Sequence, residues 1–279
     1  MNEPLDLSYS PCPNDTYIFA ALTNGLLTGA PRVRVALHDI DELNEAAALA
    51  RYPLTKVSYG AIPYLTNSYR ILRAGGALGR GCGPLVIAHP SRVSSFFELH
   101  DPLVAIPGER TTAFLLLQLA LGRRPRTRVM RFDTIVDAVV SGQVDAGLII
   151  HESRFTYQRS GLHSLLDLGQ WWERNTGTPI PLGAILARND LDDETARSID
   201  EAVRASLAFA RKDEAAILPY VREHSFEMED AVMHAHIALY VNEFSDDIGE
   251  SGKEAVDELF TRGRLAGILP PNAKARFIT

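Results

Sequence analysis

The chain has 279 residues, 46% of them hydrophobic and 23% charged, which is enough for two compact domains with real cores and too apolar for a disordered chain. With 28 Lys and Arg against 35 Asp and Glu the net charge is −7, so the basic excess that nucleic acid or an anionic membrane requires is missing. Two cysteines, Cys12 and Cys82, build no disulfide scaffold and are too distant in sequence to define a zinc site; with a start that lacks a basic head and apolar stretch, they point to the cytoplasm.

Elements with β character are predicted from Leu5 to Ser10 and from Arg32 to Ile40, followed by an amphipathic stretch from Asp41 to Tyr52 and a third β run from Leu54 to Tyr59. Further along come β runs from Leu85 to His89 and Leu103 to Ile106, a helix from Thr111 to Leu121, a β run from Thr127 to Arg131, a helix from Thr134 to Ser141 and a β run from Ala146 to His151. Strand and helix taking turns argues an α/β fold with mainly parallel strands. Arg123, Arg124, Arg126 and Arg128 read as a solvated loop, and Trp171-Trp172 opens a helical stretch in which burial is their role. From Asp192 to about Gly267 the chain reads almost wholly helical, with apolar spacing in Ile199, Ala202, Val203, Leu207 and again in Val232, Ile237, Tyr240, Val241.

Two segments have the punctuation of chain crossings between lobes: Gly79-Arg80-Gly81-Cys82-Gly83-Pro84 and Pro179-Ile180-Pro181-Leu182-Gly183, each leading into an apolar strand. They divide the chain into a middle lobe, residues 85–182, and a discontinuous lobe made of 1–84 plus 183–279 with the helical last third.

Three strand-to-helix junctions carry candidate chemistry. In Ser10-Pro11-Cys12-Pro13-Asn14-Asp15-Thr16 two prolines stiffen the loop and Asn14 or Asp15 is expected to cap the helix that follows. Cys12 then sits at the carboxyl end of a strand, where open α/β sheets place ligands, as a small packed group and not a nucleophile, since no histidine adjoins it in sequence. In Pro107-Gly108-Glu109-Arg110-Thr111-Thr112 the free N–H groups of a helix start and two hydroxyls form either an anion seat or a simple threonine cap. In Ile149-Ile150-His151-Glu152 an apolar strand ends in an imidazole that titrates near neutrality and can take a proton from a ligand; the bland alternative is a structural histidine. Glu152 need not orient it, because consecutive strand residues point to opposite faces. Lys56 and Ser58, in the run from Leu54 to Tyr59, either meet a ligand or belong to a half-exposed strand. His234 and His236, two apart in a helix, face different directions, which argues against a shared metal. No Walker loop, dinucleotide fingerprint or paired metal-ligand motif is present.

Taken together, "SPCPNDT", "LTKVSYG", "GGALGRGCGPLV", "PGERTTA", "GLIIHESRFTY", "PLGAILARND" and "YVNEFS" resemble, in this order and over most of the chain, the 1,4-dihydroxy-6-naphthoate synthase family of the futalosine route to menaquinone. The resemblance implies a fold like the type II periplasmic binding proteins: two α/β lobes joined by two crossover segments, with the ligand between them. It implies a lyase that cuts the sugar-derived part from cyclic dehypoxanthinylfutalosine, leaving the dihydroxynaphthoate and a three-carbon fragment, dihydroxyacetone, with no redox cofactor or metal. By the same resemblance His151 matches the general base, Thr111 and Thr112 match substrate-binding hydroxyls, and Thr55, Lys56 and Val57 match a second binding segment. Ser58, Asn14 and Asp15 join these as cleft candidates. A small-molecule carboxylate is the expected partner, its carboxylate on the helix start at Thr111 and Thr112; a homodimer is compatible with the chain but no motif specifies one. The same architecture serves solute receptors of transporters, so a non-catalytic small-molecule binding protein is the alternative. A transcriptional effector domain would need a DNA-binding segment, and none is visible.

Overall fold

The computed structural model describes residues 3–98, 101–225 and 229–279. The first unit is β1 (Leu5–Tyr9), whose end runs straight into α1 (Pro13–Thr23) because Pro13, with φ already fixed at a helical value, occupies the first helical position. That placement makes Cys12 the N-cap, without a side-chain cap bond, and puts Asn14 and Asp15 inside the first turn. The expected cap at Asn14 or Asp15 is therefore corrected, and both side chains are free for other partners.

Before the first crossing follow β2 (Val33–Leu37), α2 (Ile40–Ala48), β3 (Leu54–Ser58), β4 (Tyr69–Ile71) and β5 (Ala77–Gly79). Beyond it lie β6 (Leu85–Ala88), β7 (Leu103–Ile106), α3 (Thr112–Leu121), β8 (Arg126–Val129), α4 (Ile135–Val140), β9 (Ala146–Ile149), α5 (Ser153–Thr156), β10 (His163–Asp167) and α6 (Leu168–Thr176). The chain returns along β11 (Ile180–Arg188) and ends in helices α7 (Asp193–Lys212), α8 (Glu214–His224), α9 (Asp230–Tyr240), α10 (Glu243–Asp246) and α11 (Gly249–Leu265).

These strands form two sheets, one ordered β2-β1-β3-β11-β4 with β5 also on β11, the other ordered β10-β6-β9-β7-β8. Each lobe thus has its own sheet. The pairs β1/β2, β1/β3, β7/β8 and β7/β9 are parallel, as expected of βα units. The expectation of mainly parallel sheets is corrected, since β11 runs antiparallel to β3, β4 and β5, and β6 antiparallel to β9 and β10. Both reversals belong to the strands that carry the chain between lobes and so enter their sheets from the far end.

The helical last third completes the first lobe. Ile199, Val203 and Leu207 of α7 and Ile217 and Val221 of α8 share one buried cluster with Ile18, Phe19 and Leu22 of α1, each such side chain worth about 1.5–3 kcal/mol when removed from water. The first crossing is pinned by Arg154, which donates to Gly83 O at 2.6 Å, Gly81 O at 2.9 Å and Asp167 Oδ2 at 2.7 Å. There Gly83 passes so close to Gly169 that a Cβ on Gly83 would lie 2.1 Å from the Gly169 nitrogen. Among the described residues no helix is long and apolar enough to cross a membrane.

Candidate active site

A cleft between the lobes is lined from the first lobe by Asn14, Lys56 and Ser58, and from the second lobe by Thr111, Thr112 and His151, so the junctions singled out in the sequence meet in one place. Strand alternation divides the β3 candidates: Lys56 and Ser58 face the cleft, whereas Thr55 and Val57 are fully buried on the other side and do not line it. Thr55 Oγ1 instead accepts from Ser8 Oγ at 2.9 Å and Val57 packs in the core. The side chains that this segment presents to the cleft are therefore those of Lys56 and Ser58.

Lys56 is not a free cation. Its Nζ is ion-paired with Asp15 Oδ1, with both side chains nearly inaccessible. Ser10 Oγ donates to Asp15 Oδ2 at 2.6 Å and Asn14 Nδ2 to Asp15 Oδ1 at 2.8 Å. Donors thus converge on this carboxylate from three residues, which removes the uncompensated charge that would make its burial costly. Ser58 is held by Asn44, whose Oδ1 accepts from Ser58 N at 2.9 Å and whose Nδ2 donates to Ser58 Oγ at 3.2 Å.

Across the cleft, Thr111 caps α3: its Oγ1 accepts from Phe114 N at 3.2 Å and donates to Gly108 O at 2.8 Å. Thr112 Oγ1 donates to Leu182 O at 2.7 Å and accepts from Gly60 N at 3.1 Å, tying the lobes together. The hydroxyls are thereby occupied, and what the helix start offers an anion is its first backbone N–H groups, those of Thr112 and Ala113, both cleft-lining residues.

His151 stands just beyond β9 with a left-handed backbone, φ 57°, a conformation rare outside glycine that costs roughly 1–3 kcal/mol and clusters at functional turns. Phe132 meets its ring edge-on at 4.9 Å, and its Nε2 is buried without a hydrogen-bond partner among the described residues. Burial, reinforced by the Lys56 cation, brings its pKa down to about 3. The imidazole is therefore neutral at physiological pH, as a proton acceptor must be.

Two residues that the sequence left aside complete the site. Cys12 Sγ lies 3.2 Å from His151 Nδ1, although 139 positions separate them. Burial first, then the Glu152 and Asp15 carboxylates, push this thiol well up, so it stays protonated and packed as expected. Cys12, His151 and Glu152 bring a sulfur, a nitrogen and a carboxylate oxygen within 4.8 Å of one another, a donor set of the kind zinc accepts. The second residue is His236, delivered by α9. Its Nε2 lies 2.9 Å from Asn14 Oδ1, its ring is nearly parallel to that of His151 at 6.4 Å, and it lines the cleft together with Tyr240. A polar side chain on the apolar face that also carries Met233, Ile237 and Tyr240 was the available signal. His234, by contrast, is exposed beside Glu214, so the two histidines do face apart.

A family model described as menaquinone biosynthesis matches residues 5–264. A Thermus thermophilus protein named 1,4-dihydroxy-6-naphtoate synthase is 47% identical, over 99% of this chain and 100% of its own length. Among solved structures, an Archaeoglobus fulgidus protein superposes with a TM-score of 0.89 at 34% identity, covering 95% of this chain and 98% of that one. A periplasmic aliphatic sulphonate binding protein from Escherichia coli reaches 0.67 at 14% identity, over 100% and 94% of the two chains, a likeness of fold alone. The lobes, the crossings and the cleft are thus those of a periplasmic-binding-protein-like fold, and the chain belongs to the menaquinone-biosynthesis family.

Proposed function

We propose that the chain is a 1,4-dihydroxy-6-naphthoate synthase that converts cyclic dehypoxanthinylfutalosine to the naphthoate and dihydroxyacetone, with His151 as the general base. The observation that carries this reading is the strained His151, whose Nε2 is buried without a hydrogen-bond partner among the described residues and which lines the cleft together with the start of α3. The role requires the tautomer with Nδ1–H facing Cys12 Sγ, 3.2 Å away, which leaves the lone pair on Nε2 to accept a proton from the substrate. Loss of that proton starts carbon–carbon cleavage, and formation of an aromatic ring drives it forward. The protein's share is proton transfer, positioning and exclusion of water.

The substrate carboxylate sits on the backbone N–H groups of Thr112 and Ala113, where partial positive charge at the helix start favours an anion. Lys56 is already neutralised by Asp15, so it supports this seat without being its principal partner. Residues 85–182 move against 1–84 plus 183–279 to admit the substrate, with the two crossings as hinges, and the reaction takes place in the cytoplasm. The test is incubation of the purified protein with cyclic dehypoxanthinylfutalosine, with no metal or nucleotide added, and mass-resolved detection of the naphthoate. Product formation is expected; tight binding without product would make the chain a carrier.

A further inference from the structure

Only one arrangement of protons fits the polar chain that runs from Lys56 to α9. Asp15 accepts hydrogen bonds from Ser10 Oγ and from Lys56 Nζ and is buried, so its oxygens act as acceptors. The neighbouring side-chain amide must then turn its NH2 toward it, as Asn14 does with Nδ2 at 2.8 Å from Asp15 Oδ1. The reverse orientation would set a carbonyl oxygen against a carboxylate oxygen in a site closed to water. Asn14 Oδ1 is thereby aimed at His236 Nε2, 2.9 Å away, and since a carbonyl oxygen only accepts, Nε2 must carry the proton. A second proton on the ring is opposed by burial and by the nearby His151 and Lys56, which hold the His236 pKa well below the ordinary value. The remaining nitrogen, Nδ1, therefore keeps its lone pair, and it is buried without a hydrogen-bond partner among the described residues. An unmet acceptor of this kind is a desolvation cost that persists where a ligand removes it.

We propose that His236 is a second acceptor of the active site, whose Nδ1 takes a hydrogen bond from a hydroxyl of the bound substrate, and that Asn14 and Asp15 are positioning residues that fix its tautomer. This deepens the reading of the cleft as a site for a hydroxyl-bearing, sugar-derived ligand and rests on it. The two imidazoles, nearly parallel at 6.4 Å, then divide the work: His151 Nε2 receives the proton that starts cleavage, and His236 Nδ1 holds a hydroxyl in register without becoming charged.

Ring nitrogen NMR of the intact protein labelled in its histidines tests the tautomer directly. His236 is expected as the Nε2–H form, shifting toward a tautomeric mixture in Asn14→Ala; an Nδ1–H form in the native protein would overturn the proposal. Saturation with dihydroxyacetone is expected to move the Nδ1 resonance in the direction of a hydrogen-bonded acceptor, and an unmoved resonance counts against it. His236→Gln keeps a donor for Asn14 but moves the acceptor away from the Nδ1 position, and kcat/KM is expected to fall about 10- to 100-fold. His236→Asn, which restores an acceptor near Nδ1, is expected to recover part of that loss. Wild-type kcat/KM in the Gln variant, or no recovery in the Asn variant, overturns the proposal. A native protein that fails to turn over the substrate would instead remove the assigned reaction, while the tautomer and dihydroxyacetone measurements would still decide the role of His236.

Discussion

At the residue scale the site is built on buried charge and buried neutrality side by side. Lys56 and Asp15 are both nearly inaccessible, so removing one partner leaves an uncompensated charge in the core; Lys56→Met is expected to cost about 3–5 kcal/mol of stability. Denaturant unfolding measures it, and a loss below about 1 kcal/mol would show that water reaches Asp15. His151 behaves in the opposite sense. An unfolded chain protonates it near the ordinary value of 6.5, the folded chain only near 3, so folding excludes a proton. Its contribution is fully present above about pH 6.5 and is lost as the pH falls toward 3, with a slope of up to about 1.4 kcal/mol per pH unit. His236, also held neutral, adds to the same slope. Among the described residues, Cys12, Glu152, Asp15, Lys56 and Tyr240 are other titratable groups around the pair. Unfolding curves between about pH 7 and pH 5 are expected to be flatter for His151→Asn, a residue that tolerates the left-handed backbone; parallel curves would mean that His151 is protonated in the folded protein. Of these residues, the sequence made His151 legible because a strand end exposes a single imidazole. It hid His236 because the reason for a histidine on that helix face lies 222 positions away at Asn14.

At the element scale, the strand-to-helix junctions were legible, since Pro13, Gly108 and the following hydroxyls punctuate them. Strands β4 and β5 were not, because a run of three residues shows no periodicity and pairs only once a distant strand arrives. The N-cap of α1 was misread for a local reason: a proline at the first helical position moves the cap back to Cys12. Contact between lobes is also decided at this scale. After β3 the chain turns at Gly60, where a Cβ would lie 2.9 Å from Thr111 O and 3.0 Å from Arg110 O, both backbone atoms of the other lobe. Gly60→Ala must therefore push the lobes apart by a few tenths of an ångström and weaken the Gly60 N to Thr112 Oγ1 bond. Turnover is expected to fall by up to about 10²-fold through misplacement of the α3 start against β3, with the melting temperature nearly unchanged. A kinetically silent Gly60→Ala would show that the lobes need not approach this closely.

At the scale of the whole molecule, the two crossings were readable from glycine and proline punctuation, while the antiparallel direction of β6 and β11 was not, because direction depends on the route the chain takes between lobes. The arrangement gives each lobe part of the chemistry. The first supplies Lys56, Asp15, Asn14 and, through α9, His236; the second supplies His151 and the start of α3. A short contact such as Cys12 to His151 exists only when the lobes meet. The surface pair Arg159–Glu229 also spans the lobes, at 2.6 Å, but both side chains are more than half exposed, and Arg159→Ala is expected to change stability by less than about 1 kcal/mol.

The central claim is that a neutral His151 takes the first proton. The measurement that tests it most directly is kcat for His151→Asn against the native protein with cyclic dehypoxanthinylfutalosine, alongside binding of the naphthoate product to both. Turnover is expected to fall about 10²- to 10⁴-fold with product affinity retained, and turnover within a few-fold of native would contradict the account.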